Sequence, residues 1–376
     1  MGNTIQLAVV AADSHLGCRR TLDDGYFAFQ QLVDAAIKIQ RPLIILGDLV
    51  DARSQGPETA AFLSDQLRRM SDEDLMTFTI EGNHDGIMSS RKWSELGRKT
   101  RSFGGKKITL GDVEIYGIDY QNSRDQFKEA LSNAPKADVL ATHTAWQETL
   151  PAHYVMTSMA DLADVTESYK LVMSGHIHEF CYAEKYYRNA SGALIDYYSP
   201  GATHQTRVSE PSKAGYGILN NDLSITLKSL RTRYYREFIL NNEDDMTKFL
   251  DGLQGVLDEA AQHAMDHKLP KTIKQPRFRI AYSADIEDAE RRINRYLDTY
   301  ALLSYKQLAP HRPEVTTTVQ LPDVVGEAIT LKMMLPEVVN QKKDSKRFDL
   351  ATMLLDASDP EVALEQWKQN ILQEGN

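Results

Sequence analysis

Five short stretches set acidic, imidazole and amide side chains directly after apolar runs: Asp13-Ser14-His15, Gly47-Asp48-Leu49-Val50-Asp51, Gly82-Asn83-His84-Asp85, Thr142-His143 and Gly175-His176-Ile177-His178. Asp13 and His15 alternate around Ser14, so an extended backbone turns both to one side, where one metal ion can take an oxygen and a nitrogen ligand together. Asp48 offers a carboxylate whose two oxygens can bridge cations about 3.5 to 4 Å apart. Asn83 adds a neutral carbonyl oxygen, and His143, His176 and His178 complete a mixed nitrogen and oxygen set. Two divalent cations held in this way suit phosphoester hydrolysis, because water between them loses a proton near neutral pH and attacks phosphorus in line. The leaving oxygen then needs a proton. His84 is the candidate donor, with the neighbouring Asp85 carboxylate favouring its protonated form.

A single histidine is more often a packed or solvated residue than a ligand. Here five of them follow predicted strands beside Asp, Asn and Gly, which argues for one shared site. His153, His263, His267 and His311 lack that company and read as solvated. His204, after the turn Tyr198-Ser199-Pro200-Gly201, reads as a structural loop residue, with substrate contact as the alternative.

The elements that must position these groups follow from periodicity. The run 6–12 is a buried strand ending at Asp13, and Phe27, Leu32, Ala36 and Ile39 mark an amphipathic helix over 24–39. A strand over 43–46, a helix over 57–70 and a strand over 76–80 repeat the pattern. Strand, polar loop, helix, taken three times, predicts a layered α/β fold with ligands at strand C-termini. Strands over 107–110 and 113–118 flank the Gly111-Asp112 turn, a helix covers 125–131, and strands over 138–141 and 170–173 deliver the later histidines. The region 182–230 reads as strands and turns, including 194–198, 215–219 and 224–230.

Beyond it, strands over 234–240, 277–282 and 302–308 alternate with helices over 245–267 and 286–300, a compact α+β unit. Pro310 and Pro313 mark a linker. Apolar residues at Leu350, Met353 and Leu354, and at Val362, Leu364, Trp367 and Ile371, predict two amphipathic helices that need a covering surface, placed on a partner. The expected organisation is therefore 1–233, 234–310 and a linker with helical tail over 311–376.

The net charge of −10 argues against a uniformly basic nucleic-acid binder. It does not exclude a local one: Arg91, Lys92, Arg98, Lys99, Arg101, Lys106 and Lys107 stand against the single acid Glu95, either as a phosphate-contacting stretch or as a solvated face. No apolar run approaches the ~18 residues of a membrane span, so a cytoplasmic protein is expected. Cys18 and Cys181 read as reduced thiols.

Taken in order, the five motifs resemble those of the calcineurin-like metallophosphoesterases. Asp13-Ser14-His15-Leu16-Gly17, the Tyr198-Ser199-Pro200-Gly201 turn and the appended α+β unit are similar to the SbcD-type nuclease subunit of double-strand-break repair and phage recombination complexes. The resemblance implies a β-sandwich flanked by helices, with a smaller α+β capping domain that shapes a DNA site. It assigns Asp13, His15, Asp48 and His178 to one metal ion and Asp48, Asn83, His143 and His176 to the other. It makes His84 the catalytic histidine and manganese the usual ion, although such a ligand set also accepts magnesium, iron or zinc. It further implies a homodimer, terminal helices docked on an SMC-like ABC ATPase, and, for phage-type members, the host cytoplasm.

Cellular members of this branch usually carry His where this chain has Asp51, so Asp51 or Asp85 is expected to orient His84. The alternative is a stand-alone metallophosphodiesterase or phosphatase. Gly82-Asn83-His84-Asp85 differs from the Gly-Asn-His-Glu of the protein phosphatases, and a scaffold without activity fits poorly with an intact ligand set.

Overall fold

The computed structural model describes residues 4–18, 21–51, 56–85, 97–146, 169–178, 181–188 (backbone only), 194–206 and 214–309. Met1–His311 forms one compact unit, to which everything below belongs. Arg91, Lys92, the linker prolines and both predicted terminal helices lie outside the described residues.

Two six-stranded sheets lie face to face. The first contains β1 (Gln6–Ala11), β2 (Leu43–Leu46), β3 (Thr77–Ile80) and β4 (Thr100–Ser102), all parallel. The antiparallel β11 (Gly215–Asn220) and β12 (Ile225–Ser229) extend it beyond β1. In the second sheet β6 (Val113–Ile118), β7 (Val139–His143), β8 (Leu171–Gly175) and β10 (Leu194–Ser199) run parallel. The antiparallel β5 (Lys107–Leu110) and β9 (Cys181–Arg188) form its edges.

Alternation along β1 and β2 sorts side chains to the two faces. Val9, Ala11, Leu43 and Ile45 pack under the helices α1 (Leu22–Ile39) and α2 (Pro57–Asp72). Val10, Ala12, Ile44 and Leu46 meet Ile115, Val139, Ala141 and Met173 between the sheets. Behind the second sheet, α3 (Arg124–Ser132) supplies Phe127 and Leu131 to a cluster with Trp146 and Tyr197. The layers are thus helix, sheet, sheet, helix. Both parallel runs bring their C-terminal ends to one edge of the sandwich, where β1, β2, β3, β7 and β8 place their following loops.

A third sheet orders β13 (Tyr235–Leu240), β14 (Arg277–Ser283) and β15 (Leu302–Leu308), with α4 (Glu243–Asp266) and α5 (Ala289–Leu297) as connections. Its strands are all parallel, so this region is α/β rather than the expected α+β: each helix is a crossover between parallel neighbours. Its own core joins Leu240, Met246, Phe249, Phe278, Ile280 and Ile293. The helix expected over 286–300 starts only at Ala289, because Asp288 takes a left-handed φ of 50° that no right-handed helix can contain.

This region is fixed to α1 by buried charge. Asp24 accepts Arg233 Nε at 2.7 Å and lies 3.3 Å from an Arg277 guanidinium nitrogen. Arg233 also donates to Gln275 O and Thr272 O. Burial pulls the Arg277 guanidinium down, and Asp24 opposes that.

Candidate metal centre

The loops at the shared edge are held by close backbone approach. Gly82 passes so near β2 that a Cβ there would lie 2.1 Å from Asp48 Oδ1, and one on Gly175 would lie 2.1 Å from Leu46 O. Four candidate ligands, Asp13, His15, Asp48 and His176, sit at positive φ of 50°, 39°, 50° and 81°. Such backbone costs about 1–3 kcal/mol per residue and persists where the surroundings over-determine it, as in ligand clamps.

Asp13, His15, Asp48 and His143 are buried, His84, His176 and His178 half-buried, and Asn83 exposed. In one group His15 Nε2 and His178 Nε2 are 3.0 Å apart, and His178 Nε2 is 3.6 Å from Asp13 Oδ1. In the other, Asn83 Oδ1 is 3.2 Å from His143 Nε2 and 3.0 Å from His176 Nδ1. Asp48 Oδ2 lies between the groups, 3.6 Å from His15 Nε2 and 3.4 Å from His143 Nε2. These spacings fit a metal ion, since bonds of about 2.0–2.2 Å set neighbouring donors roughly 3.0–3.6 Å apart.

Proton placement points the same way. Leu46 O can only accept, so His143 Nδ1, 2.7 Å away, carries the hydrogen. In the neutral ring Nε2 is then a lone pair facing two further acceptors, Asp48 Oδ2 and Asn83 Oδ1, and a cation is what such a set lacks. Without one, a proton fills the gap. Burial pulls His143 down, but the Asp48 carboxylate and its hydrogen bond outweigh it and hold the imidazole up at about 9.

Burial pushes Asp13 up to about 6. At Asp48 burial acts upward too, yet His143 and His15 overcome it and keep the carboxyl well below the usual range. Burial, with His143 next, lowers His176 to about 4. Burial holds His15 well below its ordinary value.

The two acids beside His84 separate. Asp51 Oδ1 is 3.6 Å from His84 Nδ1. Asp85 instead turns back and accepts from the backbone N–H groups of Asp48 (2.8 Å), Val50 (3.2 Å) and Gly82 (2.8 Å). Of the two acids expected to orient His84, Asp51 is thus the one within reach of its ring, and Asp85 is bound to the loop amides. Burial, then the Asp48 charge, pushes Asp85 up to about 7. The backbone N–H of His84 donates to Asp48 Oδ1 at 2.8 Å, tying the candidate acid to the central carboxylate.

Other positions fall into place by contact. His204 is buried between Thr21 Oγ1 and Thr203 Oγ1, a structural position at the start of α1. His263 departs from the solvated reading: it is half-buried, 2.9 Å from Thr232 O and edge-on to Tyr234. Cys18 is a free thiol.

In the basic stretch Lys99 is ion-paired with Asp74, and Lys107 with Glu114 at 3.1 Å, whereas Arg98, Arg101 and Lys106 are exposed. The site also contains a residue no motif signalled. Tyr120, after β6, has its ring 5.9 Å from His176 and 6.2 Å from His143.

Residues 8–180 match the family model of the calcineurin-like phosphoesterases. Among relatives, a DNA double-strand break repair protein Mre11 of Methanococcus maripaludis is 26% identical over 66% of this chain and 73% of its own. That of Halobacterium salinarum is 25% identical over 68% of this chain and 66% of its own. That of Methanosarcina mazei is 27% identical over 60% of this chain but only 38% of its own length. A solved calcineurin-like phosphoesterase from Bacillus subtilis aligns over 68% of this chain and 99% of its own, at 14% identity and a TM-score of 0.38.

Proposed function

With residues 8–180 forming a calcineurin-like metallophosphoesterase domain, we propose that this protein is a two-metal DNA nuclease, the nuclease subunit of an end-processing complex with an SMC-like ATPase. The observation that carries the hydrolytic part is the convergence of Asp48 Oδ2, Asn83 Oδ1 and the His143 Nε2 lone pair on one point. Asp13, His15 and His178 with Asp48 would hold one divalent cation, and Asn83, His143 and His176 with Asp48 the second, manganese in our reading. When bound, these ions polarise the phosphoryl oxygens and acidify the attacking water.

The remaining work belongs to side chains. His84 hands a proton to the leaving oxygen, and Asp51 orients its ring from 3.6 Å. The amide link from His84 to Asp48 keeps acid and ligand in register. DNA specificity draws on the Mre11 relatives and on Arg98, Arg101 and Lys106, whose exposure leaves them able to meet a phosphate backbone. The 234–310 region would cap the DNA site, and the segment beyond 311 would bind the ATPase. Dimerisation and a cytoplasmic setting belong to the same reading; among the described residues no helix is long and apolar enough to cross a membrane.

One observation favours a second reading, a stand-alone phosphodiesterase of small substrates: the pairing of Lys99 and Lys107 within the protein leaves fewer free cations for DNA. Manganese-dependent release of nucleotides from linear duplex DNA, compared with hydrolysis of a small aryl phosphodiester, decides between them. Activity confined to the small ester removes the nuclease.

A further inference from the structure

Two ring-bearing side chains bracket the metal centre from opposite groups. His84 stands beside His15, ring centroids 4.8 Å apart, in the group that includes His178. Tyr120 stands beside the other group, tilted 35° to His176 and edge-on to His143. His143 and His176 are themselves 5.2 Å apart, so the tyrosine ring extends a small aromatic wall on that side.

The backbone holds Tyr120 in place. Tyr120 N–H donates to Glu81 O at 2.8 Å, and Glu81 N–H donates to Asp119 Oδ1 at 2.7 Å. Residues 119 and 120, at the end of β6 in the second sheet, are therefore locked to the loop from the first sheet that carries Asn83 and His84. Asp119 is itself confined, since a Cβ on Gly104 would lie 1.9 Å from its carboxylate. Tyr120 is half-buried, and among the described residues its hydroxyl has no hydrogen-bond partner. A rigidly mounted, half-buried aromatic ring next to candidate ligands needs an explanation beyond core packing.

Resting on the hydrolytic reading above, we propose that Tyr120 binds substrate, stacking on the nucleoside that stays attached to phosphorus. A phosphodiester has two ester arms. His84 serves the arm that leaves; in an in-line displacement the retained arm lies across that axis, and in this assignment it turns to the side where the Tyr120 ring stands. An aromatic base on that arm gains a stacking partner, and a small alkyl group gains none. Stacking tolerates every base, because each has a π-face, and removing the aromatic partner typically weakens binding by about 5- to 150-fold.

Two substrates with one leaving group isolate the effect: thymidine 5′-(4-nitrophenyl phosphate) and methyl 4-nitrophenyl phosphate. Both release nitrophenol, and they differ only in the retained arm. With the full-length protein and manganese, the wild type is expected to favour the thymidine ester in kcat/KM. Tyr120→Ala should cut that preference about tenfold, mostly through KM, while manganese uptake by calorimetry is unchanged. Tyr120→Phe should keep the preference.

An unchanged ratio in Tyr120→Ala, or an equal loss on both esters, overturns the assignment and leaves the hydrolase intact. A wild type that cleaves neither ester, with manganese bound, overturns the hydrolase and this assignment together.

Discussion

Gly82→Ala is the substitution whose cost is most directly set by geometry. Gly82 does not occupy the left-handed region, so alanine suits its backbone, and the whole effect must come from space. The added carbon would lie 2.1 Å from Asp48 Oδ1, 2.3 Å from Asp48 N and 2.8 Å from Asp48 Cγ. Ordinary contact begins at about 3.5 Å, more than an ångström beyond the two shortest of these. Swinging the Asp48 carboxylate away relieves the Oδ1 and Cγ contacts but not the one with Asp48 N, so the loops after β2 and β3 must also part, and the Asp48 side chain moves with them.

Overpacking of this kind costs about 1–3 kcal/mol in stability. Displacing a group by about 1 Å from productive geometry costs roughly a hundredfold in rate. Manganese-dependent hydrolysis of an aryl phosphodiester, with thermal unfolding measured in parallel, separates the two. The expected result is a kcat lowered about a hundredfold in a protein still folded at assay temperature, with weaker metal uptake. Activity within threefold of wild type would refute the reasoning, because Asp48 would then not need its observed position.

Other consequences can be measured independently. Asp24→Ala removes the carboxylate that faces the buried Arg233 and the half-buried Arg277 and should cost about 3 kcal/mol, the lower end for a broken buried pair, since Arg233 keeps its two carbonyl acceptors; a melting temperature within 2 °C of wild type contradicts this. Asp51→Asn should lower kcat and alter the pH profile with little change in stability. Asp85→Asn, which faces three N–H donors with one acceptor oxygen, should lose about 1–3 kcal/mol of stability, and the reverse pattern would restore Asp85 as the orienting acid. Metal uptake must displace the proton that His143 holds up to about 9, so affinity should rise about tenfold per pH unit between 6 and 8; calorimetry in buffers of different ionisation enthalpy counts that proton, and a flat pH dependence contradicts it.

The candidate ligands were legible because they end or follow strands such as Leu43–Leu46, whose burial on both faces writes itself as continuous apolar sequence. The choice between Asp51 and Asp85 was not. Adjacency to His84 made Asp85 the natural partner, whereas its carboxylate is claimed by amides of β2 and of the loop beyond it, a tertiary contact with no local signal. β4 is three residues long, too short for alternation to show, and it hid inside a run of charges. The start of α5 was set by the backbone of Asp288 rather than by the apolar period. Tyr120 belongs to no motif, and only the pairing of the two sheets brings it to His143 and His176.

The central claim is that Asp48 joins two cation sites. Titration of the metal-free protein with manganese, followed by calorimetry, tests it most directly. Two equivalents should bind to the wild type, one or none to Asp48→Ala, and one to His178→Ala with Asn83, His143 and His176 still occupied. A single equivalent in the wild type, or two retained after loss of Asp48, would contradict the account.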